Sequence, residues 1–473
     1  MRDGIWHGIA SVCWLVILGT GGLLLAVHLN GCSGDRDGPG DQAQAVQKIA
    51  LAWDLERGEG TQAYVDWLGL LHDDRSLFVA YLLYPWKEKE EEAWRRGLSV
   101  LTSDSSGRAK RLILPADSYE LELPFDRILV KPDYTHEEMP CKILTMAEFK
   151  VVLDGLPAQM DVQSITSWEK DLIAYKLDKG FDSVKAEYPN PSCTPVTVVS
   201  LADDSRKTLP PEAHRLEHVK GFVLKDRLIL TGVRRVKPDD SNWEYPVTQV
   251  WSWPEMRKIA ELKGENPQTY LPKDELFCFF QEEDVMKPLP ISEDAFVYMS
   301  GLCECRIARL ADGKEQGLLC GREDVARDGT LPDRLEPVVM RDGLNAKLVA
   351  VVGRATNDGL GLLGISIFEL PSGKSGGKLD IKLTGQEYAG VHLTEKDGRR
   401  MLLLGVDSPA GPDHPGYLKY KRFRLPDLEP IDPDSPLLVP WTSVDRIVRS
   451  GKLYLARDKE VLVYDVFSRA GPE

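Results

Sequence analysis

The chain has 473 residues, 42% of them hydrophobic and 28% charged, with 74 acidic against 59 basic side chains and a formal net charge of -15. That apolar share excludes a disordered chain, and a slightly negative mean hydropathy excludes a polytopic membrane protein. The acidic surplus argues against a nucleic-acid partner, whose phosphates demand basic surface.

The first element in chain order is an uncharged run of 19 residues, Ile9 to Val27, which its flanks extend from Ile5 to Leu29. About 20 apolar residues cross the hydrocarbon core as a helix. Arg2 precedes the run and Asp35, Asp37 and Asp41 follow it, so the positive-inside rule leaves the body outside the cytoplasm. Leu29-Asn30-Gly31-Cys32 resembles the lipobox of bacterial lipoproteins, matching it at Leu29, Gly31 and Cys32 but not at Asn30. The resemblance implies lipidation of Cys32. An uncleaved anchor and a cleaved signal are the alternatives, although a cleaved apolar region is usually shorter, about 7–15 residues. The expected organisation is an anchor or lipoprotein signal over 1–32, a flexible linker over 33–45 and a folded body over 46–473. That body lies on the periplasmic or cell-surface side.

Length alone suggests roughly three domains of about 150 residues. The pattern from residue 46 onward points to one all-β domain instead. A short β-rich run followed by a turn of Pro, Asp, Ser or Gly recurs, as in Gln249-Val-Trp-Ser-Trp-Pro-Glu-Met256, Ser366-Ile-Phe-Glu-Leu-Pro-Ser-Gly373 and Val461-Leu-Val-Tyr-Asp-Val-Phe-Ser468. The residues just before the turns, 103, 146, 201, 253, 310, 370, 425 and 466, are spaced by 41 to 60 residues. Upstream of most copies lies another apolar run, such as Leu348–Val352 or Met401–Leu404. Three or four short strands per repeat, at this period, read as radial repetition of antiparallel sheets. The three copies quoted resemble the third strand and turn of WD40-like β-propellers, without the Gly-His and Trp-Asp signatures. The resemblance implies a β-propeller, and the eight marks suggest eight blades, with seven as the alternative. Too few residues follow Val466 to supply a last outer strand. Lys48–Leu55 reads as that strand rather than as a short helix, and would close the ring by pairing the two termini.

Several segments carry candidate chemistry. Lys87–Glu92, between Trp86 and Trp94, reads as a solvated insertion or a partner-docking loop. His214 and His218 stand at i, i+4 but lack a third ligand. Of the eight cysteines, four fall between Cys278 and Cys320. A hairpin turning on Asp312-Gly313 places Cys305 opposite Cys320 on a hydrogen-bonded pair, with Cα atoms about 5.5 Å apart. They are disulfide candidates, as more loosely are Cys278 and Cys303; buried thiols are the alternative. Gly359-Leu-Gly-Leu-Leu-Gly364 matches a dinucleotide fingerprint, yet Ile365–Phe368 after it reads as strand, so the glycines are expected in a loop between strands. Asp413-His414 sits in a Pro/Gly turn with no nucleophile in view.

No catalytic, cofactor-binding or metal-binding residue is identified; the quinoprotein signature is absent, so no quinone is carried over, and the cofactor is otherwise unknown. The expected function is a membrane-tethered binding module with a protein partner. The alternative is a propeller enzyme of lactonase, lyase or hydrolase type with its site at the central channel.

Overall fold

The computed structural model describes residues 45–468 apart from 51–60, 72–75, 86–94, 103–109, 115–117, 124–125, 133–139, 158–159, 168, 170, 178–195, 211–212, 214–215, 238–239, 265–285, 302–303, 322–323, 325–333, 343–344, 358–359, 384–386, 409–416, 434–435, 441–445 and 458–459. Among these residues every element is a strand. After β1 (Gln47–Ala50), the strands fall into antiparallel groups of four. The first group is β2 (Thr61–Leu70), β3 (Ser76–Pro85), β4 (Arg95–Thr102) and β5 (Lys110–Ile113). The second is β6 (Ser118–Leu123), β7 (Arg127–Pro132), β8 (Cys141–Thr145) and β9 (Val151–Leu156). The third is β10 (Met160–Ser167), β11 (Leu172–Leu177), β12 (Val196–Ser200) and β13 (Arg206–Thr208). The fourth is β14 (Glu217–Leu224), β15 (Arg227–Lys237), β16 (Asp240–Ser252) and β17 (Lys258–Lys263). The fifth is β18 (Leu289–Pro290), β19 (Ala295–Gly301), β20 (Glu304–Arg309) and β21 (Glu315–Cys320). The sixth is β22 (Arg334–Asp342), β23 (Asn345–Asn357), β24 (Leu360–Glu369) and β25 (Lys374–Leu383).

The seventh group is β26 (Glu387–Lys396), β27 (Arg399–Ser408), β28 (Tyr417–Arg424) and an outer strand in two pieces, β29 (Glu429–Ile431) and β30 (Leu437–Pro440). The eighth draws β31 (Ile447–Arg449), β32 (Lys452–Arg457) and β33 (Glu460–Asp465) from the C-terminal end. Its fourth strand is β1, paired antiparallel with β33 from Gln47↔Val463 to Ala50↔Glu460. The third and fourth groups merge into one sheet because their first strands, β10 and β14, pair in parallel from Ser164↔Lys220 to Ser167↔Val223. This is an all-β repeat fold of the β-propeller type.

The middles of most second strands are buried on both faces, which is why they read as continuous apolar runs rather than alternating ones. Leu348–Val352 and Met401–Leu404 are at most 3% exposed. Apolar clusters join each sheet to the next. Phe78, Leu98, Ile128 and Leu144 bridge the first two, and Ile365, Ile367, Leu402 and Leu404 the sixth and seventh. Leu77, Val79 and Tyr81 of the first sheet meet Ala456 and Val461 of the eighth. Ion pairs also cross between successive sheets, including Arg127–Asp171 at 2.6 Å, Lys225–Glu293 at 2.9 Å and Lys396–Asp465 at 2.6 Å. Partly exposed pairs contribute roughly 0–1 kcal/mol each, against about 1.5–3 kcal/mol for each fully buried Leu, Ile or Val. The apolar faces therefore hold the sheets together.

One turn recurs throughout. The repeat marks Met146, Leu201, Trp253, Leu310, Leu370, Leu425 and Val466 each follow the end of a third strand directly. Their amides donate to carbonyls in the preceding hairpin, Met146 to Asp126 at 2.7 Å, Leu310 to Asp294 at 2.7 Å and Val466 to Gly451 at 3.0 Å. Three residues on, at Phe149, Asp204, Met256, Gly313, Gly373 and Leu428, φ is positive. The mark at 103 lies outside the described residues.

The hairpin at Cys305 departs from its expected form. Arg309 donates to Lys314 across a four-residue turn, not a two-residue one at Asp312-Gly313. Two register shifts, flanking Arg306–Ile307, then bring Cys305 opposite Cys320 after all. The longer turn is the fold's common one, so the local Asp-Gly preference yields to it.

Candidate functional site

Cys32, Cys278, Cys303, His214, Asp413, His414 and the runs 5–29 and 87–92 lie outside the described residues. No helix among the described residues is long and apolar enough to cross a membrane. His218 sits in the extended strand β14, so the i, i+4 helical spacing does not apply to it. Gly361 and Gly364 are not in a loop: both pair within β24, with Thr356 and Gly353. A strand there leaves no helix N-terminus for a pyrophosphate. Cys305 and Cys320 are fully buried; Cys305 Sγ lies 3.5 Å from Met286 Sδ and Cys320 Sγ 3.8 Å from the Gly321 carbonyl oxygen. No three His, Cys, Asp or Glu converge as metal ligands among the described residues.

Two places gather chemistry that sequence reasoning did not find. The first is formed by the first strands, which lie side by side: β22 against β26, and β26 against β31. On this line His392 of β26 stands within electrostatic reach of Glu336 on β22 and of Arg446 just before β31. Arg354 Nη2 donates to Glu336 Oε2 at 2.5 Å. The His392 ring lies 6.4 Å from that of Tyr420, and its Nε2 is shielded from solvent with no hydrogen-bond partner among the described residues. Burial, reinforced by Arg446 and partly opposed by Glu336, pushes the imidazole down to about 4, so it is neutral at pH 7. Lys287, just before β18, is pushed down to about 8 by burial and by Lys220 on β14. These residues come from positions far apart in the chain, and no local spacing marks them.

The second place is a groove of about 420 Å³ on the outer side, between β25 of the sixth sheet and β28–β29 of the seventh. It exists because the seventh sheet's outer strand is interrupted. Arg422 of β28 pairs with Ile431 of β29, and Tyr420 pairs with Leu437 of β30, so Lys421 between them has no outer-strand partner. Asp432, Pro433 and Pro436, from the chain between the two pieces, also line the groove. Ile381, Phe423, Pro430 and Ile431 give the groove apolar walls, and Asp380, Lys382, Lys421 and Asp432 line it with charge. Below it the buried Arg422 donates from Nη1 to the Ser468 carbonyl at 2.6 Å and from Nη2 to Asp432 Oδ2 at 3.4 Å, tying Asp432 to the last turn of the eighth sheet.

No protein-family model matches the chain, and no curated protein matches it in sequence. Solved structures similar to it include BamB from Moraxella catarrhalis, at 8% identity and a TM-score of 0.33 over 75% of this chain and 100% of that one. The WD40 domain of SCAP from fission yeast is similar at 8% identity and a TM-score of 0.45 over 90% and 99% of the two chains. U3-55K is similar at 14% identity and a TM-score of 0.36 over 89% and 99%.

Proposed function

We propose that the chain is an eight-bladed β-propeller, its ring closed by β1 on β33, tethered to a membrane through its N-terminal segment and carrying a protein-binding site on the extracytoplasmic side. The pairing of Gln47–Ala50 with β33 and the apolar contact between first and eighth sheets support the closed ring. The tether rests on the apolar run Ile5–Leu29 and on Cys32. The observation that carries the binding reading is the groove opened by the interrupted outer strand, where apolar walls and unsheathed sheet edge lie together. Concave, partly apolar surface beside an interrupted strand is what protein partners take up.

A photo-crosslinking residue at Ile381 in the full-length protein tests this. One defined adduct is expected, absent when the crosslinker stands at Val151 on the exposed outer strand β9. No adduct, or identical adducts at both positions, overturns it. Mass spectrometry of the mature N-terminus tests the tether: diacylglycerol on Cys32 or an intact Met1 chain in the membrane fraction supports it, and a cleaved, unlipidated soluble chain overturns it. Non-reducing alkylation and mass mapping tests the Cys305–Cys320 and Cys278–Cys303 bonds.

The neutral, shielded His392 beside Glu336 and Arg446 favours a second reading, an enzyme of lactonase, lyase or hydrolase type acting where the first strands meet. Stoichiometric metal in the purified protein would favour it over a module that only binds.

A further inference from the structure

We infer that four sulfur side chains buried in the fifth sheet, Met286, Met299, Cys305 and Cys320, hold a soft monovalent cation, Cu(I), when the two cysteines are reduced. Three of them form a row across adjacent strands: Met299 of β19 pairs with Cys305 of β20, and Cys305 pairs with Cys320 of β21. Residues directly opposite across antiparallel strands share a face, with Cβ atoms about 4.5–5.5 Å apart. Met286, just before β18, adds the fourth sulfur, its Sδ 3.5 Å from Cys305 Sγ. Two sulfurs on one tetrahedral ion at about 2.3 Å stand about 3.8 Å apart, so this contact is close to the spacing of two ligands. All four residues belong to one apolar cluster with Val297 and Ile307, and none is more than 3% exposed. The donor set selects the ion. Thiolate and thioether are soft ligands that favour Cu(I), whereas Zn(II) completes its shell with thiolate, imidazole or carboxylate. No three His, Cys, Asp or Glu converge among the described residues, so the remaining positions fall to the two methionines. Binding releases thiol protons and transfers no electron, because the copper enters as Cu(I). Cys305 is the second residue of β20 and Cys320 the last of β21, so the cluster lies near one end of the sheet. Neither the groove nor the His392 site uses these residues.

The test titrates the detergent-extracted full-length protein, reduced and kept anaerobic, into the coloured Cu(I) complex of bicinchoninate. The protein is expected to withdraw Cu(I) and bleach the complex, to show sulfur ligands in X-ray absorption, and to melt at higher temperature with the ion than without it. Met286→Leu and Met299→Leu conserve core volume, so the metal-free variants should melt as the parent does. Each should weaken Cu(I) binding about tenfold. Replacing both cysteines, Cys305→Ala with Cys320→Ala, should abolish the rise in melting temperature. Cys141→Ala, at a buried cysteine of another cluster, should leave that rise in place. No withdrawal of Cu(I), unchanged affinity in both methionine variants, or an undiminished melting shift in the cysteine double variant overturns the inference. Nitrogen or oxygen ligands in the absorption spectrum, or Zn(II) bound as tightly as Cu(I), overturn it too. So does a Cys305–Cys320 disulfide in protein isolated anaerobically and alkylated before any reductant is added, because that bond and the ion exclude each other.

Discussion

His392 concentrates the residue-scale energetics. An unfolded histidine titrates near 6.5, and burial lowers this one to about 4. Between those values the unfolded chain binds more protons than the folded one. Stability is therefore complete above about 6.5 and declines as pH falls toward 4, with a slope of up to ~1.4 kcal/mol per pH unit. The expected result is a urea midpoint that drops between pH 7 and pH 5 in the parent and drops less in His392→Phe. Parallel curves in the two proteins would show that the imidazole is already paired or solvated. Nothing in the local sequence Tyr388–Thr394 distinguishes this histidine from the other seven. Its shielding is made by β22, by β28 and by the segment before β31, which only the fold brings near.

At the scale of elements, the third-strand turn and the outer strand before it act together. Gly377 of β25 donates its amide to the Pro426 carbonyl at 2.9 Å, so the sixth sheet's edge is held by the seventh sheet's turn. A Cβ at 377 would stand 2.3 Å from the Asp427 carbonyl oxygen, which is backbone and has nowhere to move. Gly377→Ala should cost about 1–3 kcal/mol, read as a lowered urea midpoint. Gly398→Ala should cost about 1–2 kcal/mol for a different reason: φ there is +73° and no atom lies within 4 Å, so the backbone alone objects. The turns were visible in sequence because each needs a buried apolar residue, a short polar stretch and a residue tolerant of positive φ. Gly361 and Gly364 read as a loop because glycine lowers strand propensity, while pairing on both sides of β24 overrides it.

For the whole molecule, β1 decides whether the eighth sheet has an open edge. Deleting residues 1–50 leaves β33, a strand of Val461, Leu462, Val463 and Tyr464 at most 4% exposed, without its outer partner. Unpaired apolar edges template further pairing. The truncated protein should melt at lower temperature and elute as higher oligomers in size-exclusion chromatography with light scattering. A monomer of unchanged melting temperature would show that β1 is dispensable.

The sequence by itself determined the repeat, the third-strand turns and the strand at 47–50, because strand periodicity and turn chemistry are local. It also places Cys305 opposite Cys320, although the hairpin reaches that register through a longer turn and two shifts. Tertiary structure alone decided the candidate sites. The groove needs β25 and β28 from different sheets and a break whose effect appears only when β29 and β30 line up on one strand. The environment of His392 needs three first strands side by side. Pattern specifies which face of a strand is buried; which charged groups then meet depends on packing between elements far apart in the chain.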